Sequence, residues 1–187
     1  MALVAGALFN GTLFYAPSYI AQTLPLNLAA ISAIIFPVCG LLGTAWLGSL
    51  ILRRLNGDAL RSVAVLLGLV VLSRILAFVL PTSTLSAFII LAGMGITSYA
   101  LTNTLLTAIP LTAFSHLGTS IVAGMMDATH SIGGAIGSTM VGLLLARGDW
   151  SLVFGVWALL PLLALGVIGI AIRYQAVRRI EQKEQLI

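Results

Sequence analysis

Residues 62–80 read SVAVLLGLVVLSRILAFVL, nineteen positions with a single charge, Arg74. A helix rises 1.5 Å per residue, so about 20 apolar residues cross a hydrocarbon layer about 30 Å thick. A water-soluble helix of that length needs a polar face, and this stretch has none. The same texture recurs on both sides, at residues 3–21 and 27–52 before it and at 85–108, 118–146 and 151–172 after it. The fold class read from these runs is all-α: a polytopic membrane protein of six transmembrane helices in one bundle over residues 1–173, followed by a polar tail over 174–187.

Composition agrees over the whole chain. Charged residues make up 7% of the 187 positions and hydrophobic ones 60%, with mean hydropathy +1.14, against about 25% charged in a soluble domain. The solvent is therefore lipid, and the bilayer is the first partner. The formal charge of +4 does not point to nucleic acid, because the basic residues sit in short clusters flanking apolar runs. Cys39 is the single cysteine, which excludes an internal disulfide and a thiol pair for a metal. Met1 is followed by Ala2-Leu3-Val4-Ala5, with no Lys or Arg before Arg53, so a cleavable leader is not expected and the first run stays in the membrane.

Proline and polar punctuation set the expected boundaries. Pro17 and Pro37 fall inside the first two runs, where lipid-embedded helices tolerate them, and Gln22-Thr23-Leu24-Pro25 forms the turn between those runs. Pro81 ends the third run and Pro110 closes the fourth. Asp149, in the turn Arg147-Gly148-Asp149-Trp150, is placed to N-cap the sixth helix, which Trp150 and Tyr174 bracket at the two interfaces. The tail from Arg173 continues that helix into water.

Arg53, Arg54 and Arg61 follow the second run, and Arg173, Arg178, Arg179 and Lys183 follow the sixth. An even number of crossings separates the clusters, so they share a side, and the positive-inside rule makes it the cytoplasm. Both termini are expected there, in the inner (cell) membrane, with Arg147 outside.

A charge inside the bilayer costs at least about 2.5–3.5 kcal/mol at a helix centre, which singles out Asp127 and Arg74. At about 100° per residue, Ser120, Gly124, Asp127, Ala128, Ser131, Ala135, Ser138 and Gly142 share one stripe of the fifth helix. Val122, Met126, Ile136, Met140 and Leu144 lie opposite. Small residues permit close helix approach, so the polar stripe is expected to meet other helices, with Asp127 pointing into the bundle or a water-filled path, and the bulky one to face lipid, with Gly124, Gly134, Gly137 and Gly142 as packing glycines. Asp127 then serves either coupling or a structural polar contact.

His130, three residues on, is within reach of a hydrogen bond to Asp127, as a proton relay or as a plain interhelical contact. Arg74, near the outer end of its helix, is expected to snorkel to the headgroups, with substrate binding as the alternative. Tyr99, Asn103 and Thr107 recur at i+4 on the fourth helix, and Asn10 and Tyr15 are the polar members of the first. These side chains suit either a small polar solute at the midplane or helix-to-helix hydrogen bonds. No paired carboxylates, Walker loop, His/Cys metal spacing or nucleophile elbow occurs, so neither catalysis nor a metal or other cofactor is expected.

The run from Gly124 through Asp127, His130, Ser131, Gly133, Gly134 and Ala135 to Gly137, with Gly142, Asp149-Trp150 and Phe154, resembles the eleventh and twelfth helices of major facilitator superfamily transporters. Tyr15-Ala-Pro17-Ser-Tyr19 is similar to the aromatic-x-Pro-x-Tyr pattern in the seventh helix of its organophosphate:phosphate antiporter branch. The resemblance implies that the six runs are helices seven to twelve, the C-terminal half of a secondary transporter for a small polar or anionic solute. Its partner would then be an N-terminal half or a second copy of the chain. Two departures limit what carries over. Leu52 stands where the superfamily's Gly-x-x-x-Asp-Arg loop has its Asp, and Phe9-Asn10-Gly11-Thr12 lacks the arginine that phosphate exchangers place on the seventh helix. Phosphate is therefore not implied. Met1 abuts the first helix, from which a split or truncated product of a longer gene is expected. A transporter-like sensor or interaction subunit, or an inactive fragment, is the alternative.

Overall fold

The computed structural model describes the backbone of residues 1–23, 26–80, 83–113, 118–146 and 150–184, and the side chains of these except 23, 26–33, 113 and 175–184. Among the described residues every regular element is helical. In chain order they are α1 (Ala2–Thr23), α2 (Leu26–Leu42), a π-helical turn (Gly43–Leu47), α3 (Gly48–Arg54), α4 (Ala59–Val79), α5 (Thr84–Asn103), a second π-helical turn (Thr104–Ala108), α6 (Ile109–Ala113), α7 (Thr119–Leu145) and α8 (Trp150–Glu184). The π-helical turns join α2 to α3 and α5 to α6, so the chain forms six long rods.

Five stretches are long and apolar enough to cross a membrane: Ile34–Arg54, Ala59–Val79, Thr84–Thr112, Thr119–Leu145 and Trp150–Tyr174. The sixth rod, α1, has 22 residues and no charge, but it carries Asn10, Thr12, Tyr15, Ser18, Tyr19 and Gln22. It touches α2, α5, α7 and α8. Polar groups are cheapest where protein rather than lipid surrounds them.

Three interfaces dominate: α1 on α7, α2 on α5, and α4 on α8. In the first, Leu3 meets Gly133, Ala7 meets Gly137 and Gly11 meets Val141, so the helices run parallel. In the second, Phe36 meets Gly95, Gly40 meets Tyr99 and Gly48 meets Thr104, again parallel. By contrast Tyr19 packs on Trp150 while Gly11 lies beside Trp157, so α1 and α8 are antiparallel. Alternating up-and-down rods satisfy all three relations. They bring the Leu55–Asp58 turn and the C-terminal end of α8 to the same end of the bundle.

Glycine makes the two parallel seams possible. A Cβ on Gly6 would overlap the His130 carbonyl, one on Gly133 the Leu3 carbonyl, and one on Gly137 the backbone of Ala7. On the second seam a Cβ on Gly43 would overlap the Ile96 carbonyl, and one on Gly95 that of Phe36. In lipid the hydrophobic effect does not drive helices together, so van der Waals contact between closely approaching backbones has to.

Three boundaries depart from the sequence reading. Pro110 does not close the fourth rod, which continues through it as α6. The π turn just before it supplies the reason: Ile109 N–H bonds the Thr104 carbonyl five residues back, and the widened helix accommodates the proline ring where the i−4 hydrogen bond is lost. The third rod begins at Ala59 rather than Ser62, because Asp58 caps it by accepting from Arg61 N–H at 3.0 Å. The second rod reaches Arg54, beyond Leu52. The sixth runs on to Glu184, with Pro161 inside it, so the tail continues that helix as expected. The expected Leu24-Pro25 turn, the stop at Pro81 and the cap at Asp149 lie outside the described residues.

Gly137→Leu is expected to destabilise the chain by about 1–3 kcal/mol or more through overpacking. Gly68→Ala, where nothing lies within 4 Å of the new methyl, should be neutral or stabilising by up to about 1 kcal/mol. Thermal unfolding of the two variants in detergent checks the pair.

Candidate functional site

The α1–α7 seam decides where the polar side chains of both helices go. Because Gly6 lies directly on the His130 backbone, the imidazole is turned along the seam, and the residue is 7% exposed. Its ring centroid is 5.8 Å from that of Phe9, and Nε2 lies 3.5 Å from Thr102 Oγ1 on α5, the long limit of a hydrogen bond. Phe9 also meets Tyr99 edge-on at 4.7 Å, and Phe36 of α2 joins both rings at 6.2 and 5.7 Å. Edge-to-face geometry at these separations is the favourable one for aromatic rings. Four rods thus meet at the cluster of Phe9, Phe36, Tyr99 and His130.

Asn10 stands one turn along α1, its amide pressed into the notch at Gly134, where no Cβ fits. Further along, the Tyr15 hydroxyl lies 2.8 Å from the place a Cβ would occupy on Gly142. Gly134, Gly137 and Gly142 therefore each receive a group from α1. Gly124 does not: nothing lies within 4 Å of its Cβ position, so within this chain it is no packing glycine.

Asp127 and Ser131 are exposed, as are Ser120, Ala128 and Ala135 of the same stripe. Of the two directions expected for this stripe, the bundle interior or a water-filled path, the first is overturned. The face of α7 that packs is His130, Gly133, Gly134, Gly137 and Val141, about a third of a turn from the Asp127 stripe. Met126 and Leu144, expected to face lipid, pack against the core instead. The cause is the glycine set at 133, 134 and 137, which allows closer backbone approach than the serines and alanines beside it. Asp127 makes no hydrogen bond or ion pair among the described residues, so the expected bond to His130 does not form. His130 points into the bundle and Asp127 out of it.

A groove of about 260 Å³ opens between the two π turns, lined by Thr44, Ser49, Asn103, Thr104, Thr107 and Thr112 among others. Asn103 is held there by Thr107, whose hydroxyl donates to its Oδ1 at 3.0 Å and to its backbone carbonyl. The groove lies at the end of the bundle marked by Arg53 and Arg54, since α3 forms one wall. Tyr99 sits a turn above Asn103 on the same helix. Sequence spacing had paired Asn103 with Thr107, but it held no signal for the π turns opposite one another, which are frequent at functional sites.

Arg74 belongs to a different junction. It is 0% exposed, at the meeting of α4, α5 and α8. Nη2 donates to Ser98 Oγ at 2.9 Å, and Cζ lies 5.5 Å from the centroid of the Trp157 ring. The expected reach to the headgroups is overturned: the guanidinium points across the bundle, where Ser98 and the indole face hold it, rather than along the helix. Neither Ser98 nor Trp157 was singled out by sequence. Among the described residues no three His, Cys, Asp or Glu side chains gather as a metal would require.

Comparison with known proteins identifies no relative: no family model, curated protein or solved structure matches the chain.

Tyr99→Ala should cost about 2–4 kcal/mol, because it removes the ring shared by Phe9 and Phe36 and opens a cavity. Tyr99→Phe, which keeps the ring, should stay within about 0.5 kcal/mol of the parent. Thermal midpoints of the two variants against the unmodified chain decide whether packing or the hydroxyl matters at this position.

Proposed function

We propose that the chain is one six-helix wall of a secondary transporter of the major facilitator type, and that a small polar or anionic solute passes along the face bearing Asp127 and Ser131. The observation that carries this reading is Asp127. It lies eight residues past the start of α7, about 12 Å along the helix at 1.5 Å per residue, and it is exposed. Exposure to lipid at that depth would cost a carboxylate about 2.5 kcal/mol or more. The face must therefore meet water or another protein surface. The six-helix partner is an N-terminal half or a second copy of the chain, related to it across that face.

The interface pattern supports the same reading. Divide the rods into two consecutive triplets, α1, α2, α4 and α5–α6, α7, α8. Exchanging first, second and third members turns the α1–α7 seam into the α5–α2 seam and maps the α4–α8 interface onto itself. Two three-helix repeats of inverted topology produce this symmetry, and transporters with such repeats bind solute between them near the midplane. Asn103 and Thr107 supply a polar groove at the Arg53 end, one turn beyond Tyr99 on the same rod. Asp127 is the coupling group and His130 the ring that fixes the α1–α5–α7 junction. Positive charge at the Arg53 end makes that end cytoplasmic and the inner membrane its location.

In a chain whose own thiol is removed by Cys39→Ser, Ser131→Cys in native membranes should react with a charged, membrane-impermeant thiol reagent at least tenfold faster than Leu143→Cys on the lipid side. Equal, negligible rates would place the Asp127 face in lipid and end the proposal. In vesicles holding both six-helix halves, Asp127→Asn should lower proton-driven solute accumulation tenfold or more while exchange at equilibrium persists. Solute binding without any flux in the unmodified assembly would mark a sensor instead.

A further inference from the structure

Arg74 poses an electrostatic problem that the transport face does not answer. Arginine keeps its charge at any physiological pH, and this one is wholly buried. An ion taken out of water costs several kcal/mol unless an opposite charge and hydrogen bonds compensate it. Here the compensation is partial. Nη2 has the Ser98 hydroxyl and the guanidinium has the π-face of Trp157, yet Nε and Nη1 are buried without a hydrogen-bond partner. So is the indole Nε1 of the adjoining Trp157.

Among the described residues the surroundings offer no counter-charge. The one ion pair among the described residues is Arg61 with Asp58, and Asp58 lies sixteen positions before Arg74, about 24 Å down the rod at 1.5 Å per residue. Asp127 is exposed on α7, which does not touch α4 to any extent. The nearby hydroxyls are neutral and bring no counter-charge. Ser73 donates to the Val70 carbonyl at 2.8 Å, and Thr97 to that of Gly93 at 2.8 Å. What remains is two unpartnered guanidinium nitrogens and one net positive charge, wholly buried.

Unpartnered N–H groups that carry a net positive charge select an anion rather than a cation or a water molecule, because water would satisfy N–H groups without neutralising the charge. Full burial selects a compact one. We propose that the α4–α5–α8 junction binds a small monovalent anion, chloride being the abundant example, seated on Nε and Nη1 of Arg74. The ion would be structural or regulatory, clamping α8 to α4 and α5. The site is separate from the transport face and stands whether or not the chain moves a solute.

The test uses the purified full chain in nonionic detergent, exchanged into gluconate and titrated with chloride at constant ionic strength. The thermal midpoint should rise saturably by about 5 °C or more, and Arg74→Met should abolish the chloride dependence. In the Trp46→Phe/Trp150→Phe chain, which leaves Trp157 as the reporter, bromide should quench fluorescence saturably and chloride should reverse it. Formate in place of chloride distinguishes a carboxylate site from a halide site: a rise with formate and none with chloride keeps the anion site and changes its occupant. If Arg74→Met does not fold, the bromide titration of the otherwise unmodified site still decides. A midpoint indifferent to both anions together with linear or absent quenching overturns the proposal. So does an Asp149→Asn chain that loses stability and chloride response together, since the counter-charge would then be the protein's own.

Discussion

The backbone of α1 lies directly on the backbone of α7, and most of the structure follows from that contact. Gly6, Gly133 and Gly137 each occupy a place where a single methyl group would collide with a carbonyl or a Cα of the other helix. In water such an approach would merely add to hydrophobic burial. In lipid, where a leucine gains little by leaving its neighbours, it is the main source of cohesion available to two apolar rods. The seam fixes the rotation of α7, turns His130 inward and Asp127 outward, and presents Asn10, Phe9 and Tyr15 of α1 to the helices around it. Gly43 and Gly95 repeat the device between α2 and α5.

Polar groups are then distributed by what that close packing leaves over. Hydroxyls in the rods bond back to carbonyls three or four residues earlier, as Thr12, Ser73, Thr97 and Thr129 do, so they satisfy themselves and can face any surface. Longer polar side chains have no such option. Asn10 fills a glycine notch, Asn103 is held by Thr107, and Arg74 reaches across to Ser98 under the Trp157 ring. Near the other end of α1 the aromatic ladder of Tyr19, Trp150, Phe154 and Trp157 ties it to α8, and Trp150 adds a hydrogen bond to Gln22 at 2.6 Å. A tryptophan at the mouth of a rod with its indole N–H bonded is suited to an interface that is apolar below and wet above.

Two local irregularities shape the polar groove. The π turns at Gly43–Leu47 and Thr104–Ala108 interrupt the second and fourth rods on facing sides of the groove that Asn103 lines. Each inserts one residue into its helix and redirects the side chains that follow, which is how Thr104 and Thr107 come to address the same space as Thr44 and Ser49. The second also lets Pro110 sit inside a rod that the sequence would end there. Neither feature follows from propensity, because a π turn is set by the packing of the rod as a whole.

By itself the sequence determined that the chain is helical, that its helices are long and apolar enough to cross a membrane, and where the six runs lie, since these depend only on the number of consecutive residues that tolerate lipid. It also picked out Asp127, His130, Asn103 and Arg74 as residues too polar to be there without cause. What it could not supply was the direction in which each points. On α7 both the serine and alanine stripe and the glycine stripe recur with helical spacing, and each is small enough to pack. The choice between them was made by Leu3 and Ala7 of α1, more than a hundred positions away, whose carbonyls require glycine opposite. For Arg74, distance from the helix end favoured the headgroups, and only the tertiary structure placed Ser98 and Trp157 where they hold the guanidinium inside. Spacing along one helix records which residues share a face, whereas the occupant of the space beside that face comes from another part of the chain.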